Sequence, residues 1–343
     1  MADILKGLAG AGGSFIFAWA FPSAIALAVF HAVDLNRLGF DSILRISTLA
    51  PAEQALALGI AASGVGLVMN ALSTPMYRLL EGYSLPNAIQ VRMIDSERRR
   101  RKAIEAQTVA AEGVRLSLLQ ERLQRLPMND AQTAPTRLGN ALRSFETYAV
   151  DRYWLDSQMF WSELYAVVPD SLRKESEVAR SSVDFFVAAT YLSAILGALT
   201  CVTAFLVRSG PDLWILLLGA VCLALAPVWY RSAVGSTSYW ASTVRALVNV
   251  GRVPLAAAFG LRLPATIEEE RMMWALAVRF AYFGFDEGSA VELDEFRLSA
   301  PTTESSATPG PGAQTASDVA KSLPNGSRRP EDPALPVVAR EPR

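Results

Sequence analysis

Two long uncharged apolar runs, residues 185–207 and 213–230, limit what this chain can fold into. The first has 23 residues and the second 18, and only Arg208-Ser209-Gly210-Pro211-Asp212 separates them. At about 1.5 Å of rise per residue the first reaches roughly 34 Å, enough for a hydrocarbon core of about 30 Å. Inside lipid no water satisfies backbone N–H and C=O groups, so a run of this length crosses as a helix. The pair reads as a transmembrane hairpin turned at Gly210-Pro211.

Two further runs resemble these. Residues 14–33 are apolar and interrupted by Pro22, where a kink is expected. The run is too long for the apolar core of a cleaved signal peptide, and it ends at His31-Ala32-Val33-Asp34, so it reads as an uncleaved anchor. Residues 55–73 form the fourth run. Gly59 and Ser63, then Ala62 and Gly66, are spaced i, i+4 there, a pattern that lets membrane helices approach closely. Thr74-Pro75 is expected to end it. Four crossings place both termini on one side. That side carries Lys6, Arg78, Arg92, Arg173, Arg231 and Arg245 among others, against Arg37, Arg45 and Arg208 opposite. The positive-inside rule therefore predicts a multi-pass plasma (inner) membrane protein with cytoplasmic termini.

The division expected is a first transmembrane pair (1–76), a cytoplasmic helical segment (77–182), the second hairpin (183–231), a second cytoplasmic helical segment (232–298) and a tail (299–343). The fold class is all-α. Between residues 78 and 182 there are 16 basic and 14 acidic residues. Pro86-Asn87 starts a helix that is expected to run to Leu126, where Pro127 stops it. Leu116, Leu119, Leu123 and Leu126 have coiled-coil spacing, which an amphipathic helix on the protein's own core satisfies equally. Arg98-Arg99-Arg100-Arg101-Lys102 wraps around that helix, so its charges form a solvated, topology-setting patch or a weak attraction to anionic lipid.

Residues 135–140 open another helix with Leu138, Leu142 and Phe145 on one face. Tyr153, Trp154, Phe160, Trp161 and Tyr165 follow closely, fitting either the headgroup layer or the core of the cytoplasmic part. Pro169-Asp170 is expected to cap a helix that enters the third crossing. The helix of the fourth crossing is expected to continue past Tyr230, with Trp240, Val244, Leu247 and Val248 sharing a face. Thr266 and Glu269 read as a capping box. The tail has eight prolines in 45 residues and no aromatic residue, a composition that predicts disorder.

The segment 135–140, Trp229-Tyr230-Arg231, and Leu263-Pro264-Ala265-Thr266 with Glu268-Glu269-Glu270 and Trp274 resemble segments of uncharacterised bacterial polytopic membrane proteins. The resemblance covers roughly residues 135–274 and implies membrane location. The layout of four crossings, a large cytoplasmic middle segment and a cytoplasmic tail is similar to that of bestrophin-type channels. That likeness is one of layout.

Residues that carry chemistry are few. His31 is the only histidine, and Asp34 lies three residues on, so the two form either an interfacial pair or a relay. Asn70 is the most polar side chain well inside the second crossing, and it either lines a pathway or bonds a neighbouring helix. Cys201 and Cys222 read as small buried apolar residues. The glycines within residues 1–13 lack the preceding strand that a phosphate loop needs. No catalytic or metal-binding constellation stands out, and no cofactor is implied. The expected function is a non-enzymatic membrane scaffold or partner-binding protein, and the alternative is an oligomeric ion channel or transporter. The expected partners are the lipid bilayer, a cytoplasmic protein and a second copy of the chain. A net charge of −1 gives no reason to expect nucleic acid.

Overall fold

In the computed structural model the apolar runs are parts of longer helices. The structure describes residues 13–35, 50–206, 212–283 and 287–298. The glycine-rich start, residues 36–49, most of the turn between the last two runs and the proline-rich tail lie outside the described residues. Every regular element among the described residues is helical, with a single isolated bridge between Leu261 and Arg297. Four helices are long and apolar enough to cross a membrane: Gly13–Val33, Pro51–Ala71, Asp170–Phe205 and Leu213–Ala258.

The first, α1, is α-helical over Phe21–Phe30, between π-turns at Ile16–Ala20 and His31–Leu35. Pro22 lies in the first turn after the π-turn, and the wider turn accommodates its missing donor. The second, α2, is Pro51–Ala71. The chain breaks at Leu72 and resumes as α3, Ser73–Glu81. The crossing thus ends just before Thr74-Pro75, and the chain continues as a separate helix because Pro75 in its first turn leaves no intrahelical bond unmade.

Next come α4 (Asn87–Val109) and α5 (Gly113–Gln124). The single helix expected here is interrupted, and it ends short of Leu126. Gly113 takes φ +57, and the chain folds back into a helical hairpin. Ile104, Ala111 and Leu119 are buried in its seam, with Leu116 and Leu123 packed beside them. Then follow α6 (Arg137–Glu146), α7 (Tyr148–Tyr153), α8 (Trp161–Val167), α9 (Asp170–Leu206), α10 (Leu213–Ala258), α11 (Ile267–Phe283) and α12 (Glu287–Asp294). Thr136 caps α6 by accepting from the Gly139 N–H at 3.0 Å. Thr266 accepts from the Glu269 N–H at 3.3 Å ahead of α11.

Helices α9 and α10 are the frame. They are antiparallel and approach closely where Gly197 meets Gly219: a Cβ on Gly219 would lie 2.6 Å from Cys201 Sγ, and one on Gly197 would lie 2.8 Å from the Gly219 carbonyl oxygen. Helix α2 meets α1 where Gly66 faces the Ala20 backbone. At one end of the bundle Trp19, Met69 and Ala188 are buried together. Phe17 stacks on Phe185, and Phe186 on Trp229. The starts of α1 and of the apolar half of α9 thus share a level with the ends of α2 and of the apolar half of α10. The chain alternates direction through the bundle, and α3–α8 and the rest of α10–α12 leave from this same end.

Outside the bundle a second core forms. Leu155, Phe160 and Leu164 are buried against Val248, Leu255, Met273 and Trp274. The aromatic stretch 153–165 therefore packs inside the helical body, although Trp154 stays half exposed. Gly251 lets α8 approach α10 closely, since a Cβ there would lie 2.5 Å from Leu164 Cδ1. Leu138, Leu142 and Phe145 of α6 cover the junction of α9 and α10 with Val183, Val187 and Val244.

Candidate functional site

The α4–α5 hairpin is attached to the body mainly by polar bonds at its base. Arg98 donates to the Asp130 carbonyl at 3.2 Å. Arg101 donates to the Pro127 and Met128 carbonyls at 2.8 and 2.9 Å and pairs with Asp130 at 3.0 Å. From the other side Arg245 of α10 donates to the Gln124 carbonyl at 3.1 Å. The arginine run thus divides its work: two members bind the turn at 127–130, and Arg99 and Lys102 stay exposed.

Glu97 and Asn140 fix the hairpin's entry. Both are buried. Asn140 closes a local ring by accepting from the Ala134 N–H at 2.8 Å and donating to the Ala134 carbonyl at 3.1 Å. Its amide also reaches Glu97 at 3.4 Å, and Glu97 pairs with Arg100 at 3.0 Å. A buried carboxylate needs such partners, because an unpaired one would be strongly penalised by lost hydration.

The far end of the hairpin is bare. Val109 is 88% exposed and Val114 78% exposed, flanking the turn, with exposed Leu118 one helical turn on. Between the hairpin base and α10 lies a cleft of about 660 Å³. Its polar lining includes Arg101, Arg152, Arg245, Glu105, Tyr148 and Asn249, so cations outnumber anions. The Arg152 and Arg245 guanidinium groups lie 4.9 and 5.8 Å from the Tyr148 ring centre. Burial pulls Arg245 below its ordinary range, and nearby Arg152 adds to this. Asn249 Oδ1 accepts from the hydroxyls of Tyr148 and Tyr153, each at 3.1 Å.

Beneath the cleft Arg252 forms an ion pair with the almost fully buried Glu270, which also accepts from Trp274 Nε1 at 3.2 Å. Burial lowers the Arg252 pKa, but its bond and charge pairing with Glu270 outweigh that and hold it above its ordinary value. Arg271 donates to the Asp151 and Arg152 carbonyls at the end of α7 and lies 5.6 Å from the Trp154 ring centre. Trp154 holds a left-handed φ of 58 at that helix end. Among the described residues no group of three His, Cys, Asp or Glu residues could hold a metal.

The residues singled out in the sequence lie elsewhere. His31 is partly buried in the π-turn at His31–Leu35, and its Nδ1 has no partner among the described residues. The Asp34 backbone lies in the same turn, and its side chain is outside the described set. Asn70 is exposed on the outer face of α2, near the opposite end of the apolar bundle from His31. With Gly66 level with Ala20, the two sites are about 22 Å apart along the bundle. His31 and Asn70 therefore do not meet. Sequence reasoning assigned no chemical role to Glu97, Asn140, Arg252 or Glu270, although Asn140 and Glu270 lie in the segments that carry the resemblance. Asn140 on a buried face beside Leu138 and Leu142 was the one available signal, since a polar residue in an apolar stripe needs a partner.

Set against protein-family models, curated proteins and solved structures, the chain matches none. Function must therefore be argued from the geometry.

Proposed function

We propose that the protein is a non-enzymatic, multi-pass inner-membrane protein that presents the α4–α5 hairpin to a protein partner on the cytoplasmic side. The observation that carries this is the hairpin itself: a helical arm fixed at its base by arginine–carbonyl bonds, with exposed valines at its tip and a cationic cleft beside it. Exposed apolar side chains gathered at the end of a fixed element suit recognition, because their burial against a partner releases water without first ordering the arm. The cleft would receive acidic side chains. Four apolar helices in one bundle support the membrane anchor, and the excess of arginine and lysine at the end from which the arm departs supports cytoplasmic placement.

The test is a photo-crosslinking amino acid placed at Val114 of the full-length protein in cells. Discrete protein adducts are expected, and Val109→Glu with Leu118→Glu should remove them without lowering protein abundance. Crosslinks to lipid alone, or adducts indifferent to both substitutions, would sink this reading.

A second reading has one observation in its favour. Gly59, Ser63 and Asn70 all lie on the exposed face of α2, where a second copy could cover them, and a channel or transporter built between copies would need such a contact. Native mass spectrometry in nanodiscs distinguishes the two. A closed ring that Asn70→Leu disperses would favour the oligomeric channel, and a monomer would rule it out.

A further inference from the structure

A separate cavity of about 360 Å³ lies where the body meets the apolar bundle. Five arginines line it: Arg100 from α4, Arg122 and Arg125 from the end of α5, Arg137 from the start of α6, and Arg231 from α10. Leu126, Pro227 and Val234 form an apolar wall, and Tyr230 completes the lining. These residues come from distant parts of the sequence, so only the fold brings the charges together.

The carboxylates nearby do not balance them. Glu97 serves Arg100 at 3.0 Å and Arg137 at 4.0 Å. Glu121 pairs with Arg125 at 2.6 Å, yet Arg125 Nε is buried without a partner. Arg122 and Arg231 have no ion pair among the described residues, and both are exposed. Five cations therefore face two carboxylates. Converging like charges repel, and a fold that gathers them gains from an anion placed between them. Guanidinium groups suit phosphate in particular, because their planar N–H pairs match two phosphate oxygens at once. The Tyr230 hydroxyl accepts from the Leu138 N–H at 3.2 Å, which leaves its own proton free to donate.

The depth of the cavity narrows the ligand further. Pro227 and Tyr230 lie in the last turn of the apolar run 213–230, and Arg231 is the first charge after it. A helix crossing the bilayer over 213–230 puts these residues at the headgroup layer, where phosphate is abundant and an apolar wall can meet a glycerol or acyl stem.

We propose that this cavity is a phosphate-binding site at the membrane interface, taking a phosphate ester whose source is an anionic lipid headgroup or a soluble phosphate. The probes are phosphatidylglycerol, phosphatidylcholine and inorganic phosphate, each titrated onto the detergent-solubilised full-length protein and read by native mass spectrometry. The wild type is expected to bind phosphatidylglycerol or inorganic phosphate in preference to phosphatidylcholine. Arg122→Gln with Arg231→Gln should weaken that binding about thirtyfold. Arg99→Gln, an exposed member of the same arginine run outside the cavity, should leave it unchanged. Phosphatidylglycerol that inorganic phosphate does not displace identifies a headgroup site. Inorganic phosphate bound with the same arginine dependence, without lipid preference, identifies a soluble ligand. Equal binding by wild type and double variant, an equal loss in Arg99→Gln, or phosphatidylcholine bound as tightly as both phosphatidylglycerol and inorganic phosphate would each overturn the proposal. If the double variant melts at a lower temperature than wild type, Arg122→Gln alone carries the comparison, since that side chain makes no ion pair.

Discussion

Glu81 and Glu146 show how burial and charge compete at single residues. Burial raises the Glu146 carboxyl above its ordinary value of 4.5, and Arg143, 3.7 Å away, only partly offsets this. Burial also raises Glu81, the Glu146 charge adds to it, and Arg143 and Arg78 oppose it. An acid whose folded pKa lies above its unfolded one binds protons more readily when folded. Its favourable contribution is complete below the unfolded value and is lost as pH rises through the folded one. Glu146→Gln should therefore raise the melting temperature near neutral pH, and the gain should shrink as pH falls toward 4.5. The ion pair it removes is half-exposed and worth no more than about 1 kcal/mol. Thermal melts of wild type and variant in detergent at the two pH values check this. A gain of the same size at both would show that charge at Glu146 is irrelevant. At Glu270 the buried side chain has direct partners in Arg252 and the Trp274 indole N–H.

Among the elements, α9 and α10 do most to shape the molecule. Each has an apolar half and an outer half: the outer half of α10 carries the second core, and α9 packs under α6 through Val183 and Val187. Pro227 and Pro254 lie inside α10 without ending it, because packing on neighbouring helices compensates for the lost bond. The hairpin between α9 and α10 depends on Gly219. A methyl group there would meet Cys201 Sγ at 2.6 Å and the Cys201 backbone nitrogen at 2.9 Å, and the backbone cannot rotate away. Gly219→Ala should destabilise the folded chain by about 1–3 kcal/mol, seen as a lower melting temperature in detergent. Gly235, with open space around it, provides the control: Gly235→Ala should not lower the melting temperature. Equal behaviour of the two variants would mean that the helices do not approach here.

For the molecule as a whole, the informative surface is the apolar one. Leu56, Ile60 and Leu67 of α2, Ile195 and Phe205 of α9, and Leu213, Trp214 and Leu217 of α10 are exposed around one bundle. Water-soluble monomers rarely carry a band of this extent, and lipid covers it at no cost. The proposed orientation gives a definite result with a membrane-impermeant maleimide on intact cells. Ser209→Cys should be labelled from outside, and Val114→Cys only after permeabilisation, provided Cys201 and Cys222 are replaced by alanine. Labelling of Val114→Cys first would reverse the orientation and move the proposed partner to the other side.

The four apolar helices, the all-α class, the continuation of α9 and α10 beyond their apolar halves and the start of α6 could all be read along the chain. Run length, helical period and capping residues are local properties, and each acts within a few turns of where it is written. The α4–α5 break was less legible, since a helix and a helical hairpin share the same apolar spacing and only the positive φ at Gly113 separates them. The sequence also pointed to His31 and Asn70 as rare polar groups in apolar surroundings, but not to whether they meet. Tertiary structure alone decided that Asn70 faces outward, that Glu270 is covered, and that arginines from residue 100 to residue 231 surround one cavity. Contacts between distant segments depend on how whole helices pack, and that packing is set by the sum of many small side-chain fits rather than by any one stretch.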